Sequence, residues 1–82
     1  MIDDAGREGI DALLQEMIDQ QRAKVLVVAT SLDARVTADD ILSPHDFEAL
    51  LGDPRFNYED GLLAGLLSAQ IAMRAWFKRQ KR

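Results

Sequence analysis

The residues best suited to chemistry stand together at Ser43-Pro44-His45-Asp46, with Glu48 just beyond and Asp39 and Asp40 just before. A histidine beside carboxylates could begin a nucleophilic triad or a metal site. Nucleophilic catalysis needs a nucleophile, a base and an orienting group, and this chain has no cysteine and one histidine. His45 and Glu48, three apart, share a helical face, but tight metal binding takes three or four ligands. Asp39, Asp40 and Asp46 stand where a helical first turn favours negative charge and a cap. A phosphate cradle would need a glycine-rich loop feeding a helix with a lysine, yet Gly61 and Gly65 lie inside an apolar run with no lysine before Lys78. The expectation is no catalytic residue, no metal, no cofactor, and a protein that is not an enzyme.

What remains is surface chemistry at the C-terminal end. Arg74, Trp76, Phe77, Lys78 and Arg79, followed by Lys81 and Arg82, combine aromatic area with positive charge. Such an end suits an anionic surface, lipid or nucleic acid. It suits a helix terminus better still, where basic side chains complement the dipole and aromatics anchor the end on a core. Beside it lies a second candidate, Gly61, Gly65, Ser68 and Ala72, a small-residue face on which another backbone could approach closely. The candidate interaction surface is therefore Gly61, Gly65, Ser68, Ala72, Arg74, Trp76, Lys78 and Arg79.

These residues sit on one long element. From Gly61 to Met73 no charge occurs, and at 100° per residue Leu62, Leu63, Leu66, Leu67, Gln70, Ile71, Met73 and Phe77 fill about half the circumference. Tyr58, Ala69 and Trp76 flank that arc. The spacing predicts a helix over 58–80, capped by Asn57 with Asp60 three residues on, and with most of its surface buried. Gly61 and Gly65 each cost a helix about 1 kcal/mol relative to alanine, for which close packing is the simplest compensation.

A second helix is predicted over 10–32. Ile10, Leu14, Met17, Gln21, Val25, Val28 and Leu32 recur at steps of three and four, and residues 1–9, with two glycines, are expected to fray. Val25-Leu26-Val27-Val28 alone resembles a strand, but the helical phase runs through it and no second strand candidate exists to pair with it.

Residues 33–56 form a punctuated connector, with short helices expected near 38–42 and 44–51. Thr37 with Asp40, and Ser43 with Asp46, have capping-box spacing; Val36 with Ile41 and Leu42 with Phe47 stand as hydrophobic staples; Pro44 takes the first helical position and Gly52 ends the second turn. Leu50, Leu51 and Phe56 add apolar groups that should fold the connector back over the helices.

The expected fold is all-α: two long antiparallel helices joined by short capped helical turns packed across them, in a single domain spanning 1–82. Eighty-two residues are near the lower limit for a self-sufficient core, so a homodimer is expected in preference to a monomer. Net charge is −4, with −9 over positions 1–60 and +5 over 61–82, so antiparallel helices would bring Asp3, Asp4, Glu8 and Asp11 near Arg74, Lys78, Arg79 and Lys81. A membrane span needs about 20 predominantly apolar residues, and the run to Phe77 is interrupted by Ser68, Gln70 and Arg74. The acidic start lacks signal-peptide features, and the absence of cysteine fits a reducing compartment, so a soluble cytoplasmic protein is expected. The functional expectation is a small protein-interaction or adaptor module; the alternative is binding of an anionic surface or nucleic acid through the basic aromatic end.

Overall fold

The computed structural model describes residues 2–80, and all of their regular structure is helical. Helix α1 covers Asp4–Leu32, α2 covers Glu48–Leu51 and α3 covers Pro54–Gln80. Between α1 and α2 lie two 3-10 turns, Asp39–Leu42 and Pro44–Asp46.

Helix α1 begins earlier than the expected Ile10. Asp3 caps it, its Oδ1 accepting from the Gly6 N–H at 2.7 Å, a bond of the kind worth about 1 kcal/mol. The first turns also lie against the end of α3, where Ile2 and Arg7 line a groove with Trp76 and Phe77. Cap and tertiary contact together offset Gly6 and Gly9. Met1 lies outside the described residues. The valine run is helical, because burial on a helical stripe overrides the modest strand preference of branched side chains.

Helix α3 also starts ahead of its expected position. Its cap is Asp53 instead of Asn57: the Asp53 carboxylate accepts from the Phe56 N–H at 2.9 Å and its carbonyl from the Asn57 N–H at 3.0 Å. Pro54, with no N–H to leave unpaired and φ already helical, occupies the first position. Asn57 instead ties the helix to the connector, its Nδ2 donating to the Leu51 carbonyl at 3.0 Å.

The core lies between α1 and α3 and is closed at one end by the connector. Ile18, Val25 and Ala29 of α1 cluster with Val36, Ile41, Leu50, Phe56 and Leu63. Phe56, Ile18, Leu50 and Val25 are the largest fully buried side chains, each worth about 1.5–3 kcal/mol of burial. On α3 the buried residues are Phe56, Leu63, Gln70 and Phe77, one every seven positions, which is the seam of a helix packed on one neighbour. Two buried residues between the helices, Gln21 of α1 and Gln70 of α3, are polar and satisfied. Gln21 Nε2 donates to the Glu59 carbonyl at 2.9 Å, and Gln70 Nε2 to Gln15 Oε1 at 3.0 Å. With Asp11 against Arg74, the partners descend along α3 as positions rise along α1.

The connector departs from its expected detail. Asp40 reaches back to the Thr37 N–H at 2.8 Å, but neither 3-10 turn has a side-chain cap bond at its first residue. Leu42 is 79% exposed and Leu51 48%, while their neighbours Ile41 and Leu50 are buried. On so short a turn, adjacent apolar residues cannot both face inward.

Candidate interaction surface

Helix α3 meets one long neighbour, and one neighbour covers one stripe. The expected burial of most of the helix is therefore not what it shows: Gly61, Leu62, Ala64, Gly65, Ser68, Ala69, Ile71, Ala72, Ala75 and Trp76 are all exposed. A methyl group added at Gly61 or Gly65 would meet nothing within 4 Å. The small-residue face looks outward, and no element among the described residues packs on it.

The exposed face has an order of its own. Tyr58, Leu62, Gly65, Ala69, Ala72 and Trp76 follow one another at alternating steps of four and three, within an arc of about 80°. This is a second seam on the outside of the helix, with the same seven-residue repeat as the inner one. Its large members are open to solvent, Tyr58 at 66% and Leu62 and Trp76 each at 43%. Its middle is small and its ends are large. The charges at either end of the uncharged run are turned mostly toward α1: Glu59 meets Gln21, Asp60 lines a groove with Arg22, Arg74 pairs with Asp11 and Lys78 lines a groove with Glu8.

Of the residues singled out in the sequence, Gly61, Gly65, Ser68 and Ala72 share this outward side with Trp76. Trp76 stacks edge-on against the buried Phe77, ring centroids 5.3 Å apart at 69°. Arg74 points elsewhere. Its guanidinium makes two bonds to Asp11, Nε to Oδ1 at 2.7 Å and Nη2 to Oδ2 at 2.9 Å. That hydrogen bonding holds the Asp11 carboxyl below the usual carboxylate range and raises Arg74. Among the described residues it is the one ion pair between the two long helices. Lys78 and Arg79 are exposed; Lys81 and Arg82 lie outside the described residues. Tyr58, Leu62 and Ala69 complete the outer seam and were not among the expected surface residues. The step pattern 58, 62, 65, 69, 72, 76 would have revealed them.

An open groove of about 830 Å³ runs between the N-terminal part of α1 and the end of α3, lined among others by Arg7, Glu8, Asp11, Arg74, Phe77 and Lys78. Its charges are of both signs, so it does not concentrate one field. A smaller groove of about 380 Å³ lies where Leu26, Ile41, Leu63 and Leu67 converge beneath Leu42 and Pro44. His45 is exposed, with Nε2 3.6 Å from Asp46 Oδ1, and among the described residues no three His, Asp or Glu side chains are grouped as a metal site. No described helix is long and apolar enough to cross a membrane. Set against known protein families, curated proteins and solved structures, the chain finds no match, so what it does has to be argued from its own residues.

Proposed function

We propose that the chain is a non-catalytic protein-interaction or adaptor module, a single helical domain in which α1 and α3 run antiparallel, and that it associates with itself through the outer face of α3. The descending order of the contacts from Asp11, Gln15 and Gln21 to Arg74, Gln70 and Glu59 supports the antiparallel arrangement. The observation that carries the interaction reading is the outer seam: Tyr58, Leu62 and Trp76 exposed on a helix face without charge from Gly61 to Met73. An ordered apolar face left to solvent loses free energy that a partner recovers.

Sedimentation of the wild type and of Ala69→Glu tests it. The wild type is expected to pass from monomer to dimer over micromolar concentrations, and Ala69→Glu, which places a charge mid-seam, to stay monomeric with unchanged helical content. A wild type that remains a compact monomer throughout would remove the self-association. For the adaptor role, proteins retained by the wild type from its native cells should be lost on Ala69→Glu.

A second reading, binding of an anionic surface or nucleic acid, draws on the exposed Lys78 and Arg79 beside Trp76. Arg74 adds little to it while engaged by Asp11. It requires binding to RNA, DNA or acidic vesicles that falls steeply with salt and is abolished by Lys78→Glu with Arg79→Glu.

A further inference from the structure

The two ends of the helix pair are held by different means. The buried residues of α1 run from Ile18 to Ala29, and among the described residues the core cluster reaches no further toward the N-terminus than Ile18. Ahead of it, Ile10 and Leu14 are only half-buried. Grooves flank this arm where it lies on α3: the groove of about 830 Å³, and another of about 340 Å³ lined by Ile2, Arg7, Trp76 and Phe77. Among the described residues two polar contacts join the arm to α3, Gln15 with Gln70 and Asp11 with Arg74. The second is open to solvent, the Asp11 and Arg74 side chains being 36% and 54% exposed.

The arm is also the weaker helix of the two. Asp4 to Gln15 makes about three turns, too short to hold its form alone in water, and it contains Gly6 and Gly9, the poorest helix formers after proline. The stretch of α3 against which it lies, Gln70 to Gln80, has no glycine and is rich in alanine, arginine, lysine, methionine and glutamine, which favour helix. Its last turn carries Lys78 and Arg79, the sign that suits a helix C-terminus. Of the two partners, α1 is the one whose helix depends on the contact.

We propose that the N-terminal arm of α1, from Asp4 to Gln15, is a strap that lifts from α3 and unwinds as one unit while α3 and the connector half stay folded, with the Asp11–Arg74 pair as its latch. Folded chains open in such cooperative parts where buried apolar contacts are few. Lifting the strap frees the Arg74 guanidinium and bares Phe77 beside Trp76, so the closed strap masks the inner side of the basic aromatic end. The device belongs to the single chain and does not rest on self-association.

Amide hydrogen exchange under native conditions, read residue by residue, tests the strap on the whole chain. In the wild type the amides from Glu8 to Gln15 are expected to share one protection factor, lower than that of Gln70 to Arg74 and of Ile18 to Ala29. Arg74→Ala should speed exchange of all the strap amides alike, by about two- to fivefold, the loss of an exposed ion pair. Asp53→Ala, at the far end, should speed the amides from Ile18 to Ala29 by about fivefold, the loss of a cap, and leave the strap amides unchanged, because the strap opens without disturbing that end. Protection that climbs steadily from Glu8 to Gln15, with the earliest amides unmoved by Arg74→Ala, would be fraying of a helix end and would overturn the proposal. So would Asp53→Ala speeding strap and core alike, which would mean that the molecule opens only as a whole. A value shared by the strap and Gln70 to Arg74 would show both helices unwinding together and overturn the assignment of α1 as the moving part.

Discussion

Asp33 ends α1 and organises the turn that follows. Its N–H donates to the Ala29 carbonyl at 2.9 Å, its Oδ1 accepts from the Arg35 N–H at 3.0 Å, and the Arg35 guanidinium grips the carboxylate through Nε at 3.0 Å and Nη2 at 2.7 Å. Those bonds from Arg35, side chain first and backbone second, hold the Asp33 carboxyl down at about 2. Lowering a carboxyl in the folded state means that the folded chain binds fewer protons than the unfolded one as the pH drops. Stability from this turn is therefore fully present above about pH 4, the ordinary range for an unfolded Asp, and is lost as pH falls toward 2. The Asp11 carboxyl, held low by Arg74, acts in the same direction at the other end of the helix pair. Urea midpoints measured from pH 7 to pH 2 should show Asp33→Asn less stable than the wild type at neutral pH, with the two curves converging at the acid end. A constant offset over that range would mean that the carboxylate charge is not what Arg35 holds.

Among the elements, the start of α3 separates two readings of one stretch. Asn57 and Asp53 both have capping chemistry, and four residues separate them. The structure gives the cap to Asp53, with Pro54 next and Asn57 bonded back to Leu51. Asp53→Ala should cost about 1 kcal/mol, and Asn57→Ala less, because Asn57 is exposed and its loss leaves the first turn capped. Denaturant unfolding of the two variants decides it, and equal losses would argue that the two ends of that stretch form one cooperative cap. The same comparison shows what could be read in advance. Helical phase through Met17, Val25 and Leu32 was legible, since periodicity outlasts a local strand-like run. The choice between competing caps was not, since both satisfy the local rule and only the burial of Phe56 in the cluster that holds Leu50 and Val25 makes the earlier start the better one. Which of Ile41 or Leu42, Leu50 or Leu51, turns inward was also beyond a pattern of residue types, because each pair is equivalent until α1 and α3 are in place. The outer surface was half legible: the apolarity of Gly61 to Met73 shows that a face can be buried, not that the chain carries a neighbour for it.

At the scale of the molecule, the chain is a rod of 47 × 19 × 17 Å with a radius of gyration of 15.6 Å, against about 12 Å for a compact chain of this length. Its accessible surface is 5850 Å², where a chain of this size would expose about 4,900 Å². A two-helix rod has no interior beyond its single seam, so the excess surface is that of the outer sides of its helices. Glycine distinguishes a face that is merely exposed from one that is used. Gly9 in α1 and Gly65 in α3 both lie inside helices with open space around them, so alanine at either should stabilise the separate chain by about 1 kcal/mol. Thermal unfolding at low concentration should show that gain equally for both. Association should tell them apart. If a second copy packs at Gly65, its added methyl forces the two helices apart, at a cost of about 1–3 kcal/mol, and the dissociation constant should rise on the order of tenfold, while Gly9→Ala leaves it unchanged. Gly65→Ala is thus expected to melt higher when dilute and to associate more weakly when concentrated. A substitution that raised stability at Gly65 without weakening the dimer would show that the copies meet elsewhere, and that the glycine is tolerated in α3 for a reason other than close approach.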